Sequence, residues 1–303
     1  MQPAEPEADA CLDLWAETRG GRARLINLSE NHTYLVEGPA GRSVLRLHRP
    51  GYQTRAEIES ELAWVAALRP HLSVPRVLTG LDGRFVQESG GRHAVLFAFE
   101  RGEEPAEDAE LRPLFRILGR YAATLHQHAE SWTRPAAFSR QRWDAGAILD
   151  PDGLWGDWRR APGMTTEMRV VLDRTDTALR ELLAAYGQAG HRYGLIHADM
   201  RLANLRVDGE RVTLIDFDDS GFCWFVYDLA ASLSFIEMRA DLDELVAAWC
   251  EGYAAIRVLT DEDRAMIAPM ILLRRMALLA WIGSHAETDL ARRQAPRFAA
   301  DTA

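Results

Sequence analysis

The stretch GLIHADMRLANLRVDGERVTLIDFDD, residues 194–219, sets Asp199, Asn204, Asp216 and Asp218 among Leu, Ile, Val and Phe. A run this apolar buries, and a buried carboxylate is costly unless something compensates its charge. Within it, LRV-DGER-VTLIDFD reads as a β-hairpin whose loop, Asp208 to Arg211, pairs Val207 with Val212 and Leu205 with Leu214. On that register Asn204 falls opposite Ile215, next to Asp216, so the two arms carry an amide oxygen and a carboxylate to one place. Hard oxygens of this kind suit Mg2+, which keeps several waters and shares its other positions with phosphates. Asp199 lies on the loop entering the hairpin, where it can accept a hydroxyl proton. One Asp to orient an attacking hydroxyl, with an Asn and a second Asp to hold a metal, is the set that phosphoryl transfer uses.

Composition narrows the remaining chemistry. None of the 35 basic residues is lysine. That excludes a GK[ST] phosphate loop, a pyridoxal Schiff base and any lysine nucleophile. The net charge of −10 argues against a nucleic-acid footprint and against an anionic membrane surface, so neither is expected as a partner. MQPAEPEADACLDLW lacks the basic and apolar regions of a signal peptide. APMILLRRMALLAWIG is split by Arg274 and Arg275 and reads as a buried helix rather than a membrane span. Cys11, Cys223 and Cys250 are widely spaced, which fits a reduced cytoplasm and not a zinc site or disulfide scaffold. No feature speaks to the oligomeric state.

The elements that must position these residues fall into two groups. Residues 1–21 form a polar lead-in with a short helix. From 22 to 102 the pattern is β-rich: RLINLS, HTYLVEG and SVLRLH, then VPRVLTGLDGRFVQES and HAVLFAFE around Gly-containing turns. One main helix interrupts it, TRAEIESELAWVAALR, with Ile58, Leu62, Val65 and Leu68 at helical spacing. After the acidic RGEEPAEDAE the pattern turns helical through 103–303, with LRPLFRILGRYAATLHQHA and RVVLDRTDTALRELLAAYG as amphipathic helices. A Trp-, Pro- and Gly-rich connection over about 131–163 is too long for a simple loop and is expected to shape a binding site. The fold class expected is α+β, with a small β-rich N-terminal lobe and a larger, mostly helical C-terminal lobe.

HADMRLAN followed by LIDFDD and YDLA resembles the aminoglycoside phosphotransferase and choline kinase superfamily, the small-molecule relatives of protein kinases. The resemblance runs over about 22–290 and implies a bilobal protein-kinase-like fold. It also implies ATP- and Mg2+-dependent phosphorylation of a small-molecule hydroxyl, with the nucleotide between the lobes. Carried over, it makes Asp199 the catalytic base and Asn204 and Asp216 the metal ligands. His197 becomes a structural member of the catalytic loop, and Asp228 of YDLA the buttress of that loop's backbone. Arg201 stands where protein kinases place a lysine near the γ-phosphate, as a phosphate contact or a plain surface arginine. Asp218 is a second metal contact or a carboxylate facing a cationic substrate.

In the N-terminal lobe SVLRLH is similar to the strand that carries the ATP-phosphate lysine, with Arg46 in its place. Alternation puts Arg46 on the face opposite Leu45 and Leu47, and its fork can hold phosphates bidentately. Arginine is bulkier and planar, so the exchange is not neutral. Glu61 on the following helix is the expected partner of Arg46, with Glu57 one turn earlier as competitor. LSENHTYLV occupies the phosphate-loop position without its glycines, leaving the backbone at Asn31 and His32 to approach the phosphates. VLFAFERG is similar to the interlobe hinge, where the backbone from Phe97 to Phe99 would bond adenine while both rings serve the core. The acidic balance points to an amino-alcohol acceptor. Two alternatives stand beside this reading: a Ser/Thr protein kinase of the bacterial stress-response type, and a non-catalytic nucleotide-binding module.

Overall fold

A computed structural model describes residues 6–28 and 31–303, so Ser29 and Glu30 of the expected phosphate-loop turn lie outside the described residues. In chain order the elements are α1 (Pro6–Asp9), β1 (Arg22–Leu28), β2 (His32–Gly38), β3 (Gly41–Leu47), α2 (Arg55–Leu68), β4 (Val77–Leu78), β5 (Gln87–Ser89) and β6 (Arg92–Ala98). There follow α3 (Arg112–Ser131), α4 (Ala145–Leu149), α5 (Thr166–Tyr186), β7 (Tyr193–Ile196), β8 (Leu205–Asp208), β9 (Arg211–Leu214) and β10 (Gly221–Trp224). The chain closes with α6 (Tyr227–Ser232), α7 (Leu242–Ala254), α8 (Asp261–Ala265), α9 (Ile267–Ser284), α10 (Asp289–Gln294) and α11 (Phe298–Thr302). This is the expected mixed architecture, an antiparallel sheet first and helices after. The chain forms two compact units: residues through Glu103 with 133–140 and 206–218, and residues 104–132, 141–205 and 219–303.

In the first unit the sheet runs β1-β2-β3-β6-β4, with β5 added on β6. Every pairing is antiparallel, and Arg46 of β3 sits between Thr33 of β2 and Val95 of β6. Period-two alternation sends Leu45 and Leu47 into a core with Trp15, Tyr34, Val36 and Leu96. Arg46 therefore faces the other way, toward α2. That helix begins at a capping box in which Thr54 Oγ1 accepts from Glu57 N and Glu57 Oε2 accepts from Thr54 N at 2.7 Å. Glu57 is thereby occupied at the helix start. In the same unit β8 and β9 pair through a two-residue turn, Gly209 and Glu210, tighter than the four-residue loop read from the sequence. Gly209 has φ +61°, so glycine lets the chain reverse there without strain.

In the second unit α3 crosses α7 at backbone contact. A Cβ added to Gly119 would lie 2.0 Å from the Trp249 carbonyl oxygen, and one on Gly252 would lie 1.9 Å from that of Arg116. Glycine at both positions permits the crossing, which sets His126 of α3 against Tyr253 of α7, Nδ1 to Oη 2.9 Å. A strand absent from the sequence reading, β10, pairs antiparallel with β7, Phe222 opposite Leu195. The apolar helix α9 is long and apolar enough to cross a membrane, yet most of it is buried inside this unit, including Arg274 and Arg275. A helix apolar nearly all round is a core helix when its neighbours cover it. Cys11, Cys223 and Cys250 are buried free thiols.

Candidate active site

The residues of HADMRLAN gather in the second unit. β7 ends at Ile196, and the chain turns through Ala198, whose φ of +68° is uncommon for a residue with a Cβ. Asp228 at the start of α6 holds that turn: Oδ1 accepts from Ala198 N at 2.8 Å and Oδ2 from His197 N at 3.3 Å. His126 Nε2 lies 3.0 Å from the same Oδ2. Burial drives the His126 pKa down, against the pull of Asp228, so this histidine is a neutral strut. His197 Nδ1 in turn accepts from Asp199 N at 3.2 Å. His197 and Asp228 thus lie where a loop scaffold would be.

Asp199 is buried and takes three side-chain donors. Oδ2 accepts from Asn204 Nδ2 at 2.6 Å and from Arg201 Nε at 3.1 Å, and Oδ1 accepts from Arg274. Burial raises a carboxyl pKa, but the charges of Arg201, Arg274 and His197 outweigh it and bring Asp199 below the ordinary aspartate value. Asn204 ends a short 3-10 turn just before β8. Its Nδ2 also donates to the Asp199 carbonyl at 2.9 Å, which leaves the amide oxygen for another partner.

A second cluster lies in the first unit. Arg46 donates through Nη2 to Glu61 Oε1 at 2.5 Å and through Nη1 to Asp216 Oδ1 at 3.1 Å. Glu61, not Glu57, is the partner. Burial works against the guanidinium, yet Glu61, Asp218 and Asp216 together keep its pKa above normal, so Arg46 is a permanent cation. Beside it His48 is buried and pushed down to a pKa of about 2, by burial first and then by Arg46. Asp216 has φ +62° and an only partly buried side chain (40 % exposed), with one oxygen on Arg46. Asp218 Oδ2 accepts from Asn31 Nδ2 at 2.7 Å. Asn31 therefore contributes its side chain, where the sequence reading used its backbone. Phe97 and Phe99 are half-buried, and each ring carries a guanidinium: Arg46 lies 5.1 Å from Phe97 and Arg42 3.9 Å from Phe99. The amide between them, Ala98 N, is bonded to Arg76 O at 2.8 Å.

Two arginines in these clusters carry no local signal in the sequence. Arg140 donates to Glu57 O at 3.1 Å and to the Asp218 carbonyl, which also accepts from Gln53 Nε2 at 2.7 Å. It pins the 216–218 segment to α2. Arg274 comes from α9, far along the chain, and had been read only as a charge that breaks up an apolar run.

The donor chemistry fits a hard divalent cation. In the first unit Asp216 retains a carboxylate oxygen beyond its bond to Arg46; in the second, taken by itself, Asn204 retains its amide oxygen. Among the described residues no three His, Cys, Asp or Glu side chains converge as an all-protein metal cage. A site built from one or two carboxylates and completed by phosphates and water is the Mg2+ pattern.

Comparison with known proteins agrees with this chemistry. The solved structure of a microcompartment-associated aminopropanol kinase is 42 % identical, covers 97 % of this chain and 94 % of its own, and superposes with a TM-score of 0.89. A homoserine kinase from Granulibacter bethesdensis is 28 % identical over 251 residues, 78 % of this chain and 72 % of the relative. An amicoumacin kinase solved with AMP-PNP and Ca2+ shares the fold, with 20 % identity, a TM-score of 0.77 and coverage of 97 % and 91 %. The model of the phosphotransferase enzyme family matches residues 23–266. The chain belongs to the phosphotransferase enzyme family and is an ATP-dependent kinase whose acceptor is the hydroxyl group of a small molecule.

Proposed function

We propose that the acceptor is a small amino alcohol and that Asp199 orients its hydroxyl. The 42 % identity with an aminopropanol kinase over nearly the whole chain carries this reading. Homoserine, the acceptor named for another relative, is also an amino alcohol. In the transfer, the acceptor oxygen forms its bond to the γ-phosphorus while the bond from that phosphorus to the departing ADP oxygen breaks. The hydroxyl proton passes to Asp199.

By the family resemblance, Asn204, Asp216 and Asp218 are the residues that would hold Mg2+. The ion, when bound, neutralises phosphate charge that otherwise repels the incoming oxygen. Arg46, fixed by Glu61, supplies a guanidinium fork to the nucleotide phosphates, and Arg201 supplies a second cation. Phe97 and Phe99 stand at the adenine end. Little covalent chemistry is left to the protein, so positioning and charge provide most of the acceleration. The net charge of −10 and the buried free cysteines support a cytoplasmic enzyme whose partner is a small molecule rather than nucleic acid or a membrane surface.

A coupled ADP-release screen over 1-amino-2-propanol, ethanolamine, homoserine, choline, simple sugars and aminoglycosides tests the acceptor class. Primary-amine alcohols are expected to give the highest kcat/KM. Turnover confined to sugars, or ATP-dependent labelling of a generic protein substrate alone, would replace this reading.

A further inference from the structure

Arg274 sits on the middle of α9 and is 1 % exposed. A buried guanidinium needs partners for its fixed fork of donors, and here they converge on one short segment. Nη2 donates to Asp199 Oδ1, Nη1 to the Ala198 carbonyl at 3.2 Å, and Nε to Ser234 Oγ at 2.9 Å. The guanidinium carbon lies 5.1 Å from the Trp155 ring centroid and 5.9 Å from that of Tyr227. One side chain thus grips both the carboxylate of Asp199 and the peptide just before it, at the residue with positive φ. Its own position is fixed by Ser234 and by two aromatic rings.

The two arginines on Asp199 are not equivalent. Arg201 belongs to the same loop and is 24 % exposed, so it moves with the loop and reaches solvent. Arg274 belongs to a core helix. A carboxylate offers about four lone-pair positions. Asn204 and Arg201 take two on Oδ2 and Arg274 takes one on Oδ1. Among the described residues the fourth position, also on Oδ1, is left open beside the Arg274 guanidinium.

We propose that Arg274 is a positioning residue for the transfer: it ties Asp199 to α9 so that Oδ1 is presented in one fixed orientation to the acceptor hydroxyl. This rests on the assignment of Asp199 as the group that orients the acceptor. Removal of the tie lets the carboxylate swing, and a displacement near 1 Å costs on the order of a hundredfold in rate. Lysine in its place keeps the charge on a flexible stem and cannot hold three acceptors in one plane.

The test is steady-state kinetics on Arg274→Met and Arg274→Lys in the full-length enzyme, with 1-amino-2-propanol, or the best acceptor of the screen, as substrate. Arg274→Met is expected to lose about a hundredfold in kcat with the KM for ATP changed less than about twofold. Arg274→Lys is expected to recover part of that loss, to within about tenfold of wild type. A wild-type kcat in Arg274→Met overturns the proposal. So does a loss shared equally by kcat and the ATP KM without recovery in the lysine variant. If the methionine variant does not fold, Arg274→Lys carries the test alone: kcat reduced about tenfold at unchanged ATP KM supports the tie, and wild-type kcat refutes it. Asp199→Asn run alongside separates the two assignments. Full turnover there removes the role of Asp199 itself, whereas inactivity there with a wild-type Arg274→Met removes only the role of Arg274.

Discussion

The two polar clusters of this kinase solve opposite charge problems. In the first unit one guanidinium, Arg46, answers to three carboxylates, Glu61, Asp216 and Asp218. In the second, two guanidinium groups, Arg201 and Arg274, converge on the single carboxylate of Asp199 as ion-pair partners. Negative charge left over in the first cluster suits a divalent cation. The contrast also separates fixed from adjustable parts. Glu61 and Arg274 are almost wholly buried and hold their partners in place, while Asp216 and Arg201 are partly exposed to solvent. Each cluster therefore pairs a buried anchor with a more exposed side chain.

Mutations can break this symmetry at either end. The largest effect is expected for Asp199→Asn, which removes the proton acceptor and should lower kcat by roughly 10²- to 10⁴-fold. ATP affinity, measured by fluorescent-nucleotide titration, should stay near wild type because Asp199 is not a phosphate ligand; normal turnover would reject the assignment. Next is Arg46→Ala. It should raise the KM for ATP by about tenfold or more, the equivalent of about 1.4 kcal/mol, and leave the ranking of acceptors intact. Should only acceptor preference shift, Arg46 does not serve the nucleotide. Smallest is Thr54→Ala, which deletes the cap of α2 and should cost about 1 kcal/mol of stability in a urea melt. Since α2 carries Glu61, the ATP KM should rise slightly with it, whereas a variant as stable as wild type would show that the cap contributes nothing.

Much of this was legible locally. The alternation in SVLRLH placed Arg46 opposite Leu45 and Leu47, and β3 keeps that arrangement. The glycine after RELLAAY predicted the end of α5, and Gly187 caps it with φ +70°. The apolar run with Arg274 and Arg275 was expected to be a buried helix, and α9 is one. Other features escaped for a physical reason. GFCW has neither the length nor the alternation of a free-standing strand, and β10 forms because β7 offers it an edge. Thr54 and Glu57 are a capping box that also leaves Glu61 to pair with Arg46, a division of labour that helical spacing alone left undecided.

The sequence by itself singled out the candidate groups for the chemistry, because HADMRLAN and LIDFDD compress them into a short span where residue type and spacing are both informative. It also determined the order of sheet and helices, since period two and period 3.6 are properties of the chain. Only the tertiary structure decided which cations those carboxylates meet. Arg274 reaches Asp199 across 75 residues and Arg140 reaches the Asp218 carbonyl across 78. A buried charge takes the partner that packing brings to it, and packing is set by elements whose separation along the chain carries no trace of their distance in space.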